Sequence, residues 1–100
     1  MREVDKEKLE RSFQVTERAL DEARKSPENI DLDDDTRKHL IDNIERYVKD
    51  ARHFEQQGDI VSAFAALNYA HGLLDAGVLI GLFDVDNDEL FAFVKSKASN

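Results

Sequence analysis

The chain has 100 residues, with 22 acidic against 14 basic side chains and a formal net charge of −8 at pH 7. That length fits one domain around one core, and the acidic balance excludes the broad positive field that holds proteins on nucleic acid or anionic membranes, leaving only local basic stripes for such contacts. Cysteine is absent, which excludes a disulfide scaffold, a cysteine zinc site and a thiol nucleophile and agrees with a reducing compartment.

The opening MREVDKEKLERSF has no apolar signal core and neither end carries a lipidation motif, so the expected location is cytoplasmic. Leu9, Phe13, Thr16, Leu20 and Ala23 then recur at alternating spacings of four and three. That period predicts a helix over about 3–25. Ser26-Pro27 ends it, because proline disfavours a helical conformation in the residue before it. Residues 27–35 form an acidic linker, which Ile30 and Leu32 are expected to pin to the bundle.

The second helix is predicted over 35–57. Asp33, Asp34 and Asp35 offer an N-cap and negative charge at the positive end of the helix. Leu40, Ile41, Ile44, Tyr47, Val48, Ala51 and Phe54 make one apolar face, and Gly58 stands where a left-handed C-cap belongs. Asp59 caps a third helix over 59–83 across a turn so short that the two helices must be antiparallel neighbours.

This third helix is apolar nearly all round, which implies either central placement or a face kept for a partner. Gly77 and Gly81 are expected to mark the closest approach of a neighbouring helix. Val61, Ala65, Ala76, Leu79 and Phe83 lie opposite Phe64, Leu67, Leu74 and Val78 and form a candidate interface. After a loop at 84–88, the tail 88–97 brings Leu90, Phe91, Phe93 and Val94, as a short helix or an extended docking strand. The predicted fold is all-α: a three-helix up-and-down bundle with that tail, in one domain spanning 1–100.

Several features could carry chemistry. The run 60–83 is long enough to span a bilayer, but Asn68, His71 and Asp75 fall mid-span and no basic cluster flanks it, so a membrane role is not expected. The same three residues share one edge of the helix at i, i+3 and i+7. Either a carboxylate orients a histidine as general base or metal ligand, or the three form a polar network at the core margin, joined by the hydroxyl of Tyr47 or Tyr69. No nucleophile stands at a useful offset and a metal needs more ligands, so the network is the favoured reading. Residues 84–88 begin like a calcium loop but put Glu89 where the glycine belongs and Lys95 where the bidentate glutamate belongs; an acidic helix cap is the better account.

His39, Arg46 and His53 recur every seven residues on the polar face of the second helix, with Lys49 and Arg52 near. The Arg46–His53 spacing resembles the Arg-x6-His motif of HEPN ribonucleases, in which arginine could steady a phosphate while histidine moves a proton. The ordinary explanation is a solvated mixed-charge face, with Asp42 pairing Arg46 and Asp50 beside His53.

Gly58-Asp59, then Tyr69-Ala70, Gly72, Leu74-Asp75-Ala76-Gly77 and Gly81-Leu82-Phe83 carry a resemblance to the archaeal family catalogued as domain of unknown function 357. It extends from the first helix to Phe83 and is distinctive in the third. The resemblance implies a short archaeal cytosolic three-helix bundle; it brings no established activity, so no catalytic residue and no cofactor is carried over. The residues point to a non-catalytic protein-interaction module, with a protein partner or a second copy as ligand and no metal. The alternative is an RNA-associated or ribonuclease-like protein using Arg46 and His53.

Overall fold

The structure, a computed structural model, describes residues 6–28, 30 and 33–94. It holds α1 (Lys6–Lys25), α2 (Asp34–Gln56) and α3 (Ile60–Leu79), and no strand among the described residues. The expectation of an all-α bundle is met. The positions 3–5 assigned to the first helix, Leu32 of the linker and the tail beyond Val94 lie outside the described residues.

Burial follows the predicted periods. Leu9, Phe13, Thr16, Leu20 and Ala23 of α1 are buried, with Ala19 beside them. Ile41, Ile44, Val48 and Ala51 of α2 face them, and Ala63, Leu67, Ala70 and Leu74 complete the core from α3. The most extensive helix contact is α2 with α3, as the tight turn between them requires. Ile30 packs against the core edge, so the linker is tied down there.

Capping explains the ends. Asp33 accepts a hydrogen bond from the Thr36 amide at 2.7 Å and Asp59 from the Ser62 amide at 3.1 Å, satisfying orphan donors at the starts of α2 and α3. Both helices end in the same device. Gly58 and Gly81 have φ of 81° and 89°, a region costly for residues with a Cβ. The Asp59 amide reaches the Phe54 carbonyl at 2.8 Å and the Gly58 amide the Glu55 carbonyl at 3.0 Å. At the end of α3 the Leu82 amide reaches Gly77 at 2.8 Å and the Gly81 amide reaches Val78 at 3.1 Å. Each pair is a Schellman closure.

This corrects the third helix. It stops at Leu79 rather than running to Phe83, because Gly81 turns the chain into the left-handed region. Gly81 is therefore a helix terminator, not a helix-packing glycine. The reversed chain swings Leu82 and Phe83 back into the core, each 1% exposed, so Phe83 is a core residue and not part of an outer interface. What approaches Gly77 is also not a helix but this ring: a Cβ built on Gly77 would stand 2.6 Å from Phe83 Cδ2.

The tail is neither helix nor strand where it is described. The amides of Leu90 and Phe91 both reach the Asn87 carbonyl at 3.2 Å, making a compact turn. That turn drives Leu90 and Phe91 into the core at 2% exposure each, while Phe93 stays about half exposed, at 48%.

Candidate functional site

The polar edge of α3 is built into a clamp on the tail. His71 Nε2 lies 2.6 Å from the Leu90 carbonyl oxygen and Nδ1 lies 3.1 Å from the Thr16 hydroxyl. A carbonyl only accepts, so Nε2 carries the proton, and in the neutral ring Nδ1 accepts from Thr16. One turn further on, Asp75 Oδ1 accepts the Ala92 amide at 2.9 Å. His71 and Asp75 are 4.0 Å apart, so each serves the tail backbone more closely than it serves the other. Together they read the carbonyl of residue 90 and the amide of residue 92, while Leu90 and Phe91 fill the core below. Asn87 adds a third tie, donating to Glu22 on α1 at 3.3 Å.

The sequence groups Asn68, His71 and Asp75 as one polar network. His71 and Asp75 join it; Asn68 is exposed at its margin, on a depression that Lys8 and Arg11 also line. The partners are Thr16 and the tail backbone rather than tyrosine hydroxyls. Tyr47 and Tyr69 instead meet edge to face, ring centroids 4.6 Å apart. Both ring nitrogens of His71 are engaged, which leaves none for a general base in this conformation. No group of three or more His, Cys, Asp or Glu among the described residues could hold a metal ion.

A second feature is the outward side of α3. Val61, Ala65, Ala76 and Leu79 are all exposed, Val61 and Leu79 at 70% and 63%. Tyr69 and Ile80 extend this surface. Gly72 also opens onto it, with nothing within 4 Å of a Cβ placed there. The charged side chain of α3, Asp75, is turned to the tail, so this face presents no charge of its own. No helix among the described residues is long and apolar enough to cross a membrane.

Arg46 and His53 lie exposed on α2. Arg46 reaches Asn43 at 3.5 Å, and Asp42 pairs with Lys38 instead, so the expected Asp42–Arg46 bridge is replaced. Arg52 does not share their face. It forks onto Glu10 of α1 at 2.9 and 3.3 Å, reaches Glu55 at 3.0 Å, and lies over the Phe13 ring at 3.6 Å from its centroid. The hydrogen bond from Arg52 holds the Glu10 carboxyl below its usual range, and Glu10 in turn pushes the Arg52 guanidinium up.

Arg37 is the residue that sequence reasoning missed. Its guanidinium donates to the carbonyls of Ala23, Arg24 and Ser26 at 2.9, 3.2 and 2.9 Å and to Leu82 at 3.2 Å. It also faces Glu28 at 3.6 Å and lies 5.3 Å from the Phe83 ring centroid. The available signal was its place in the first turn of α2, where the helix dipole disfavours a cation. A base there needs partners elsewhere, and the carbonyl ends of α1 and α3 supply them.

These features define a small all-α bundle in which the strap after α3 is clamped by a histidine and an aspartate of α3. The chain belongs to the family described as protein of unknown function (DUF357), whose model matches residues 11–83. The matched region begins within α1, takes in α2 and α3 and ends at Phe83, before the clamped strap. No curated protein and no solved structure matches the chain.

Proposed function

We propose that this protein is a non-catalytic, cytoplasmic protein-interaction module that docks through the outward side of α3, with a second copy as the first partner to test. The observation that carries this reading is Val61, Tyr69, Leu79 and Ile80 standing exposed on one uncharged helix side, in a chain whose net charge is −8. Apolar patches of a few hundred Å² on a soluble chain commonly mark contacts. The small residues Ala65, Gly72 and Ala76 between them allow a close approach. Two-fold symmetric pairing is the commonest assembly and needs a self-complementary surface, which an uncharged side supplies without repulsion. Sedimentation across a concentration series tests this. A dimer that Leu79→Glu converts to monomer is the expected result. A wild-type chain that stays monomeric and captures no protein would end the reading.

The RNA reading rests on Arg46 and His53 both reaching solvent on α2, with no carboxylate paired to Arg46 among the described residues. It requires binding or cleavage of single-stranded RNA at low salt by the wild-type chain.

A further inference from the structure

The strap is bound as a ligand would be. Leu90 and Phe91 occupy apolar sites at 2% exposure, and two side chains one helical turn apart, His71 and Asp75, read its backbone at residues 90 and 92. This is how a groove recognises a short peptide: side-chain sites set the sequence, and main-chain bonds set the register. The strap hangs from a short connection. The Asp84 amide is held by the Pro27 carbonyl at 2.8 Å and Asn87 is tied to Glu22, so the connection between these two ties is two residues long, with Val85 packed against the edge of the core.

Three of the uncovered apolar side chains of the closed chain flank this connection. Leu79 and Ile80 precede it and Phe93 follows it, exposed by 63%, 56% and 48%. They border one cavity of about 410 Å³, shared with Val78, Val85 and Val94. When a terminal segment is exchanged between two copies, the connecting segments are brought together and form the new contact. Leu79, Ile80 and Phe93 stand where that contact would form.

We propose that the strap is exchanged between two copies, each inserting Asn87–Val94 into the α1–α3 groove of the other. Every closed-chain bond to the strap is kept, because the groove and the strap are the same in both copies. The gain is burial of Leu79, Ile80 and Phe93 between the two connections. This deepens the self-association reading by stating which segment crosses, and it makes the groove incomplete without the second chain.

The chain has no cysteine, which gives a clean test. Glu22→Cys and Asn87→Cys are made in separate full-length chains, mixed at a concentration where the wild type sediments as a dimer, and treated with a short bifunctional maleimide. The side chains they replace meet at 3.3 Å. Exchange predicts a covalent heterodimer, and none from Arg46→Cys mixed with Asn87→Cys. The wild type supplies a readout independent of the variants: in a mixture of isotope-labelled and unlabelled chains, filtered NOEs should connect Leu90 of one chain to His71 of another, the pair in contact across the groove. A dimer with neither the cross-link nor these NOEs overturns the exchange and leaves the α3 docking reading standing. A chain monomeric at every concentration overturns the exchange together with self-association, and capture of a different protein then decides the docking reading by itself.

Discussion

The Arg37 guanidinium donates to the Ala23 carbonyl at 2.9 Å, tying the start of α2 to the last turn of α1. The same side chain reaches Leu82 beyond α3, so one cation closes off carbonyls from two helix ends. Its planar fork can serve several acceptors at once; a lysine ammonium at the end of a flexible stem cannot. Arg37→Lys should destabilise the fold by about 2 kcal/mol, since partly buried carbonyls lose their donors. For a domain of this size that lowers Tm by roughly 10 °C. Thermal unfolding followed by circular dichroism measures it, and an unchanged Tm would show that water replaces the fork at no cost.

Gly77 and Phe83 are matched. A methyl group at 77 would overlap the Phe83 ring. Gly77→Leu should overpack and cost roughly 1–3 kcal/mol. Phe83→Ala should cost about 3–5 kcal/mol by opening a cavity. Gly77→Ala combined with Phe83→Leu should lose less than the sum of the two single changes, because the smaller side chain makes room. Urea denaturation of wild type, Gly77→Ala, Phe83→Leu and the double variant tests the coupling, and strict additivity would show that the two sites do not share space.

Acid should weaken the fold through three carboxylates. The Glu10 carboxyl is held low by its hydrogen bond from Arg52, Asp33 by the Thr36 amide, and Asp59 by the Ser62 hydroxyl and amide. Each binds a proton less readily folded than unfolded, so its contribution is present above the ordinary carboxylate range, near pH 4. It is lost as the pH falls through the lower folded values. Tm should therefore hold near neutrality and fall below about pH 4. Glu10→Gln should flatten part of that fall, the more visibly at low salt because the pair is exposed. A Glu10→Gln profile parallel to wild type would remove Glu10 from the account.

Arg46→Ala with His53→Ala should leave folding within about 0.5 kcal/mol of wild type, as exposed positions off the core face usually do. If RNA is a ligand, this double variant should bind single-stranded RNA more weakly while its melting curve stays in place. A folding loss well beyond that range would mean that the α2 outer face carries structure that its exposure hides.

The buried strap gives a further stability test. Phe91→Ala should cost about 3–5 kcal/mol, whereas Phe93→Ala should stay within about 0.5 kcal/mol in the monomer. Equal effects would mean that Phe91 is not held in the core.

Much of this architecture follows from the sequence taken by itself. The three periods placed Leu9, Phe13, Ile44, Val48 and Leu67 in the core, because a helix of 3.6 residues per turn brings such spacings onto one side whatever packs there. Asp33, Asp59 and Gly58 marked helix ends because their local chemistry is sufficient to cap. The family likeness also lay in plain view in the third helix. Tertiary structure decided the rest. Gly81 reads equally as a packing glycine or a terminator, and only its positive φ, set by the return of Leu82 and Phe83 to the core, separates the two. His71 and Asp75 shared a helix edge in the sequence, but their partner is main chain from a tail with no periodic pattern. Arg37 carries one local mark, a cation in the first turn of a helix, but nothing local names the two distant helix ends whose carbonyls it binds. Period and capping are properties of neighbours along the chain; the clamp, the Arg37 fork and the Gly77–Phe83 contact join residues that become neighbours only when the bundle closes.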